Sequence, residues 1–223
     1  IIDLGSGAGS NYRFLKSRLL NNQYWSFVDI SHQSTNYFKE NLKLSSKIKK
    51  TNFKIVDVIN NLEKINFNDY NLVTGSAFLD ILPKTWFKNF HKLNVDTEIV
   101  YFALNYNGNF KFFPKHKDDK RILNIFNKDQ KSDKGIGEVA VGPDCTELIN
   151  KVFKRTHKTY VLDSTWDVSK NYEFQIYFLN FCREIIQKNK LNFDDWLKFR
   201  LKCIKEKNSR FILNNTDFLA IKK

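Results

Sequence analysis

The chain begins with Ile1-Ile2-Asp3-Leu4-Gly5-Ser6-Gly7-Ala8-Gly9-Ser10, and this stretch decides how the rest of it is interpreted. Its first four residues are apolar except for Asp3, which indicates a buried β-strand. Three alternating glycines follow, and the apolar residues from Asn11 to Leu20 then recur at helical spacing, with Ser10 as the predicted N-cap. A strand that turns through glycines into a helix is typical of folds that bind a nucleotide-like cofactor, because glycine lets a ligand approach the backbone.

The spacing of the glycines indicates which cofactor the turn accepts. The dinucleotide fingerprint is G-x-G-x-x-G, whereas this turn reads G-x-G-x-G and has Ser10 in place of the third glycine of the fingerprint. Asp3 lies two residues before the first glycine. A carboxylate there disfavours a pyrophosphate and suits a cationic amino acid group. The turn therefore favours a cofactor with an amino acid portion over a nicotinamide dinucleotide.

Two further acidic residues come at the ends of predicted strands. Asp29 ends the second strand, where a carboxylate can accept hydrogen bonds from both hydroxyls of a ribose. Asp57 ends the third strand, where an acid can accept from an adenine amino group and Val58 can line the ring pocket. A strand-end aspartate is also a common cap of the next turn, so Asp57 has a purely structural alternative.

Short β-like runs alternate with helical stretches over residues 1–105, which predicts a parallel sheet with helices on both faces. The fifth predicted strand is Glu98–Leu104. Residues 106–143 break the alternation with a Lys-rich stretch, a short apolar helix and a glycine-punctuated loop, and we interpret them as a cap insertion. Residues 144–223 begin with a predicted helix, Asp144–Phe153, and a strand-like run, Lys158–Leu162. Two amphipathic helices follow at 171–188 and 193–207, and the chain ends with two β-like runs, Arg210–Leu213 and Phe218–Ile221, separated by a predicted turn. We expect the whole chain, 1–223, to be a single domain.

These residues resemble the cofactor site of the class I S-adenosylmethionine-dependent methyltransferases. The first motif of that family is an acid, any residue and then G-x-G-x-G, and Asp3, Gly5, Gly7 and Gly9 match it position for position. The resemblance covers residues 1–105 and the terminal strand. It implies a seven-stranded, mostly parallel Rossmann-like sheet of order 3-2-1-4-5-7-6 with an antiparallel last strand, and S-adenosylmethionine as the cofactor.

The resemblance also implies where each part of the cofactor binds. Asp29 corresponds to the ribose-binding acid and Asp57 to the acid beside the adenine, and the backbone of Thr74-Gly75-Ser76-Ala77 faces the methionine portion. The implied cofactor-binding residues are Asp3, Gly5, Ser6, Gly7, Gly9, Asp29, Ile30, Asp57, Val58, Gly75 and Ser76. The loop of residues 133–143 is similar to one in bacterial members of the family.

Two departures from the family pattern bear on function. The fourth strand lacks the acid-Pro-Pro-aromatic sequence of the members that methylate base amino groups or protein glutamine, which disfavours those acceptors. The family's helix before the first strand is missing, and the sequence contains no Met. We therefore expect that residues are missing at the N-terminus, and a targeting signal in those residues would not be seen.

No motif identifies a catalytic group. A general base is needed only when the nucleophile arrives protonated, and the candidates by position are Asp80, Tyr106, His116 and Asp133. His116 with the neighbouring Asp118 and Asp119 also suggests a metal site, but cap polarity is the commoner explanation, and we expect no metal.

The net charge of +13 comes from 30 Lys and only 7 Arg, a usage typical of A/T-rich coding sequences. We therefore favour a small or medium-sized acceptor over nucleic acid, which usually requires more arginine. The first alternative function is an RNA- or protein-directed methyltransferase. The second alternative is a non-catalytic binding module or a nicotinamide-dependent oxidoreductase on a similar fold. Three scattered cysteines and the lack of an apolar run of about 18 residues predict a cytoplasmic protein without a membrane span.

Overall fold

One mixed β-sheet runs through the computed structural model of the protein, which describes residues 1–135 and 137–223. Its strands are β1 (Ile2–Leu4), β2 (Gln23–Asp29), β3 (Ile48–Ile55), β4 (Leu72–Ser76), β5 (Ile99–Phe113), β6 (His157–Asp163), β7 (Trp166–Asp167) and β8 (Arg210–Lys222). The α-helices are α1 (Ser10–Leu15), α2 (His32–Glu40), α3 (Lys84–Leu93), α4 (Asp119–Gln130), α5 (Cys145–Phe153), α6 (Tyr172–Lys188) and α7 (Asp194–Lys205).

The strands lie in the order β3-β2-β1-β4-β5-β8-β6. Strands β1 to β5 pair in parallel, whereas β8 is antiparallel to its neighbours. This arrangement confirms the predicted α/β fold, the mostly parallel Rossmann-like sheet and the antiparallel last strand. The predicted number of seven strands is wrong. Trp166–Asp167 forms an additional short strand, β7, beside Leu213 and Ile212 of β8, which makes eight in the described part of the chain.

Two hydrophobic clusters hold β1 and β2 in place, as is usual where helices cover a parallel sheet. The larger cluster joins the sheet to α3 and α5 and includes Ile2, Leu4, Val28, Phe87, Phe90 and Phe153. The second cluster lies under α1 and α2 and consists of Tyr12, Leu15, Trp25, Phe27 and Phe38. Because both clusters contain residues of β2, the position of Asp29 at the end of that strand is fixed by packing.

Strand β5 is longer than predicted. The expected end at Leu104 is wrong, because the strand continues to Phe113 and remains paired with β8 up to that residue. β8 is likewise one continuous strand, so the turn predicted at residues 214–217 is wrong too.

The polar segments of β5 and β8 lie opposite each other. Asn105 pairs with Thr216 and Tyr106 with Asn215, between two irregularities of register in β5. Asparagine and aspartate have low β-propensity and favour turns, which is why the sequence predicts the end of β5 at Leu104 and a turn at residues 214–217. Cross-strand pairing overrides that local preference, and the register shifts bend the ribbon.

The outer half of the β5–β8 ribbon forms the cap together with α4, α6 and α7. These elements enclose a second hydrophobic core, whose buried members are Tyr106, Phe110, Phe112, Ile122, Phe126, Phe178, Leu179, Cys182, Ile185, Ile186, Phe193, Trp196, Leu197, Ile204 and Phe211. Residues 106–113, which we expected in the cap insertion of residues 106–143, are thus the continuation of β5. Ile136 of the glycine-punctuated loop lies outside the described residues.

A buried ion pair joins α7 to the beginning of α4. The Arg200 side chain is fully buried, and its guanidinium contacts the Asp119 carboxylate and donates to the Pro114 carbonyl at 2.6 Å. The same Asp119 oxygen accepts from Trp196 Nε1 at 2.7 Å. Since a buried guanidinium is costly without an acceptor, this end of the cap depends on Asp119.

Asp119→Ala removes the acceptor of both Arg200 and Trp196. We expect the free energy of unfolding to fall by about 2–4 kcal/mol, because the guanidinium stays buried without its partner. Urea denaturation measures the loss. The control is Asp118→Ala, because Asp118 pairs with the exposed Arg121, a contact for which about 0–1 kcal/mol is expected. Equal losses in the two variants would contradict the role of Asp119.

The central strand β1 carries a buried acid. Asp3 has no exposed surface, and its Oδ1 accepts from Asn11 Nδ2 at 2.7 Å. Its Oδ2 has no hydrogen-bond partner among the described residues. Burial raises the pKa of Asp3 to about 7 against the effect of the Asn11 hydrogen bond, and the charge of Asp29 raises it further. Ionised Asp3 therefore destabilises the folded chain.

The pKa of Asp3 makes its cost depend on pH. A carboxyl group whose pKa is higher in the folded than in the unfolded protein lowers stability as the pH rises between the two values. For Asp3 this window runs from about 4, the usual value in an unfolded chain, to about 7. Asp3→Asn removes the titration.

We expect the stability advantage of Asp3→Asn over the parent protein to grow by on the order of 2–4 kcal/mol between pH 4 and pH 8. Urea unfolding of both proteins at the two pH values measures this change. A difference between them that does not vary with pH would contradict the assignment.

Candidate functional site

The glycine turn, Gly5–Gly9, leads from β1 into α1 at the edge of the sheet where the parallel strands end. Gly7 and Gly9 have left-handed backbone angles, with φ values of 50° and 82°. A Cβ atom on Gly9 would lie 2.2 Å from the Phe38 ring, so packing excludes a side chain there. A Cβ atom on Gly7 would meet no atom of the described residues within 4 Å. The turn therefore has open space beside Gly7, where a ligand can approach the backbone.

Helix α1 is shorter than predicted. It ends at Leu15 rather than Leu20, and Gly9 occupies the N-cap position that we predicted for Ser10. The Ser10 hydroxyl instead accepts a hydrogen bond from Arg13 at 2.9 Å. A helix of six residues is too short to be stable by itself, so its position depends on side-chain contacts with the sheet.

One of these contacts comes from Asn11, which the sequence analysis did not select. Its buried Nδ2 donates to Asp3 Oδ1 at 2.7 Å and to Thr74 Oγ1 at 3.1 Å, and so connects α1 with β1 and β4. The available signal was a polar residue on the inner side of a short helix. Because Asp3 has no exposed surface, its carboxylate supports the turn from beneath and is not open to a ligand.

Asp29 lies beside the turn at the end of β2. Its Oδ2 accepts from the Gly7 amide at 2.7 Å, and its Oδ1 accepts from the Ser31 amide at 2.8 Å. Each carboxylate oxygen can accept a second hydrogen bond. The half-buried Asp29 side chain thus holds the turn in shape and keeps acceptor capacity toward solvent. The next residue, Ile30, exposes 63% of its surface at the same edge.

Asp57 caps the turn that follows β3. Its Oδ1 accepts from the amides of Ile59 and Asn60 at 2.9 and 3.1 Å, and its Oδ2 accepts from Asn60 Nδ2 at 2.8 Å. Burial opposes ionisation, but these hydrogen bonds prevail and lower the pKa of Asp57. Val58 is buried in the larger hydrophobic cluster, and its carbonyl accepts from Trp86 Nε1 at 2.8 Å. The Asp57 carboxylate thus has a capping role, and Val58 packs in the hydrophobic core.

The end of β4 lies directly beside the turn. A Cβ atom on Gly75 would approach the Leu4 carbonyl oxygen to 2.9 Å, so glycine permits the close packing of β4 on β1. Ser76 follows, half-buried. Ala77 and Leu104 then adopt left-handed backbone angles, with φ values of 50° and 56°. Such angles are uncommon for residues other than glycine and concentrate at functional sites. Sequence analysis did not detect this pair.

Two of the four catalytic candidates lie close together. Asp80 follows β4 in a short turn, and burial raises its pKa although its own amide and the charge of Lys134 oppose the shift. Burial also raises the pKa of Tyr106, and the nearby Asp80 charge adds to that effect. The Tyr106 hydroxyl donates to Asn127 Oδ1 at 2.8 Å. The structure thus brings Asp80 near Tyr106 at the boundary between the sheet edge and the cap.

His116 lies far from this pair, whereas Asp133 lies in the glycine-punctuated loop, which pairs with Pro83 through Ala140. His116 comes after the outer end of β5, roughly 30 Å along the strand from Ala103, which pairs with Ser76 at the end of β4. The Asp133 carboxylate accepts hydrogen bonds from the amides of Gly135 and Gly137 and so shapes its own loop.

Over residues 1–135 and 137–223, the His, Cys, Asp and Glu side chains form no group of three or more that could hold a metal ion. In the same part of the chain, each helix is too short or too polar to cross a membrane.

Comparisons with known proteins give matches by structure alone. Protein-family models do not match the chain, and curated protein sequences give no match either. Among solved structures, a methyltransferase from Methanosarcina mazei that depends on S-adenosylmethionine superposes with a TM-score of 0.55. The two sequences are 12% identical, and the match covers 99% of this chain and 91% of that one.

Two further similar structures have TM-scores of 0.48. One is phosphoethanolamine N-methyltransferase 2 from Haemonchus contortus with S-adenosylhomocysteine, at 12% identity over 99% of this chain and 48% of that one. This chain thus spans about half the length of the nematode enzyme. The other is geranyl diphosphate C-methyltransferase from Streptomyces coelicolor, at 8% identity over 100% of this chain and 71% of that one.

Sheet order and structural similarity lead to the same assignment. The order β3-β2-β1-β4-β5-β8-β6, with β8 antiparallel, is the order that the sequence motif implied. The Methanosarcina mazei structure shares this architecture over nearly the whole of both chains. The chain therefore has the fold of the class I S-adenosylmethionine-dependent methyltransferases.

Proposed function

We propose that the protein is an S-adenosylmethionine-dependent methyltransferase that acts on a small or medium-sized acceptor. The glycine turn carries this proposal. Open space lies beside Gly7, and the Gly7 amide is held by Asp29, whose carboxylate retains acceptor capacity. The motif spacing and the fold support the same cofactor.

The charges around the turn suit S-adenosylmethionine better than a dinucleotide. Asp3 lies beneath the turn and Asp29 beside it, and two carboxylates repel a pyrophosphate but attract sulfonium and ammonium groups. The bound cofactor supplies a methyl group on a sulfonium, which a nucleophile takes by in-line displacement. Because Asp3 is buried, it does not contact the cofactor directly. It acts on the cofactor through its charge and through the position of Asn11.

We assign the remaining cofactor contacts by position. Asp29 accepts the ribose hydroxyls, and the exposed Ile30 covers the adenosine. The turn that begins at Asp57 and Val58 lies on the adenine side. The backbone of Gly75–Ser76 faces the methionine portion. The left-handed backbone of Ala77, immediately after this segment, supports a site at the end of β4.

The chain's own part in the reaction is to position the acceptor and exclude water. Asp80 and Tyr106 are the best placed of the catalytic candidates, because both lie between the end of β4 and the cap. A carboxyl group with a raised pKa can take the proton of an acceptor that arrives protonated. With a deprotonated acceptor, Asp80 and Tyr106 serve only to orient it.

The cap supports a small or medium-sized acceptor. Its loop packs beside the end of β4, where the Val141 amide donates to the Leu82 carbonyl at 2.9 Å and Ala140 pairs with Pro83. A loop at this position narrows the approach for a polymer. The net charge of +13 favours an RNA- or protein-directed enzyme as the second candidate. Free, buried Cys145, Cys182 and Cys203 fit a reducing compartment such as the cytoplasm.

Gly7→Ala places a methyl group in the open space beside the turn. We expect binding of S-adenosylmethionine to weaken at least about tenfold, because the methyl group occupies space that the cofactor needs, with a stability loss of about 1 kcal/mol for the left-handed backbone. Isothermal titration calorimetry measures binding. Gly135→Ala is the matched control, since Gly135 has a φ of 87° and open space in the described structure, but lies in the cap loop.

The same calorimetry tests the cofactor itself. We expect the parent protein and Gly135→Ala to give isotherms with S-adenosylmethionine and with S-adenosylhomocysteine. A clear isotherm with NAD, and none with either sulfur compound, would contradict the proposal. Equal weakening in the two glycine variants would place the cofactor away from Gly7.

A further inference from the structure

A cavity lies at the outer end of the cap, away from the glycine turn. It has a volume of about 470 Å³ and lies between the outer part of β5 and the beginning of α4. This volume is within the range of small-molecule sites, about 300–1,000 Å³. β4 pairs with β5 only as far as Ala103, and the cavity begins at Asn109, roughly 20 Å further along the strand. It is therefore separate from the proposed methyl-transfer site.

The floor of the cavity is aromatic and rigid. The half-buried Phe113 and Leu123 provide its accessible apolar surface, and the neighbouring Phe110 and Phe112, 5% and 3% exposed, are packed in the cap core. The Phe112 ring stacks on Phe211 with centroids 4.3 Å apart. A floor whose rings are already packed loses little side-chain entropy when a flat apolar group binds to it.

The rim of the cavity is strongly basic. Its exposed lysines are Lys111, Lys115, Lys117 and Lys120. Salt bridges in the described part of the chain involve none of these four side chains. The half-buried His116 ring also lines the cavity, and its Nδ1 accepts from the Asp118 amide at 3.2 Å.

The nearby carboxylates do not neutralise these lysines. Asp119 lines the cavity, but it pairs with the buried Arg200 and accepts from Trp196 Nε1 and the His116 amide. Asp118 pairs with Arg121. Arginines thus neutralise both carboxylates, and the four lysines leave a net positive charge on the rim.

We propose that this cavity binds an organic anion in which a phosphate, sulfonate or carboxylate group is joined to a flat apolar body. The rim attracts the anionic group, and the aromatic floor takes the apolar body. Neither part is sufficient alone, because exposed lysines bind a free anion weakly and a small apolar floor gives little affinity without the charge. A cavity of about 470 Å³ matches the size of one small molecule.

Phenyl phosphate and anilinonaphthalene sulfonate are suitable probes, because both combine an anion with aromatic rings. We expect saturable enhancement of the dye's fluorescence and its displacement by phenyl phosphate. Inorganic phosphate and phenol each supply half of that structure, and we expect each to compete at least about tenfold more weakly than phenyl phosphate. Competition by inorganic phosphate at the level of phenyl phosphate would overturn the proposal, since the floor would then contribute nothing.

The double variant Lys117→Gln/Lys120→Gln tests whether the lysines of the rim bind the anionic group. We expect it to weaken binding of both probes roughly five- to tenfold, since it removes two of the four lysine charges. The matched control is the double variant Lys128→Gln/Lys151→Gln. Both of these lysines are exposed and lie on helices outside the cavity, and their substitution removes the same net charge. Thermal unfolding of both double variants verifies that they fold.

Two outcomes would overturn the proposal. Equal weakening in the two double variants would show that the probes respond to overall charge rather than to this cavity. A short oligothymidylate that binds much more tightly than phenyl phosphate, with weakening only in Lys117→Gln/Lys120→Gln, would identify the rim as a nucleic-acid surface. Neither outcome depends on S-adenosylmethionine, so the result is independent of the proposed methyl transfer.

Discussion

The hydrogen bond from the Gly7 amide to the Asp29 carboxylate, 2.7 Å long, is the contact on which the candidate site depends. β1 has three residues and α1 has six, so neither element is long enough to fix the glycine turn between them. The turn keeps its shape because Asp29 holds it from β2 and because Asn11 ties α1 to Asp3 and Thr74. Tertiary contacts therefore define a loop that local propensity would leave variable.

These contacts place negative charge under the turn at a cost in stability. Asp3 is buried with one oxygen unpartnered in the described structure, and the charge of Asp29 raises its pKa further. A cationic ligand beside the turn would favour the ionised form of both groups. Binding of such a ligand would therefore recover part of the energy lost in the ligand-free protein, as expected where a site is built at the expense of stability.

The glycine turn and the alternation of strands with helices were predictable because their signals are local, whereas the order of the strands was implied by the resemblance to the methyltransferase family. The outer half of β5 was not predictable, because Asn105 and its partner Thr216 sit in segments that favour turns and are held extended by each other. Asn11 escaped notice for a similar reason, since its role depends on two strands distant in sequence. Asp57 matched the family pattern, and its carboxylate also caps the following turn by accepting hydrogen bonds from Ile59 and Asn60.

The extension of β5 and β8 beyond the sheet edge explains the form of the cap. The ribbon supplies one wall of the second core, and α4 returns along it from Asp119 to Gln130. Near one end of this helix Asn127 accepts from Tyr106, close to Asp80. At the other end Asp119 binds Arg200 beside the basic cavity. A single helix thus borders both places where ligands are proposed to bind. Ile122 and Phe126 on the inner side of α4 are buried in the cap core, so the helix cannot deform locally. A shift of α4 along the ribbon would therefore move the helix as a unit and change both sites at once.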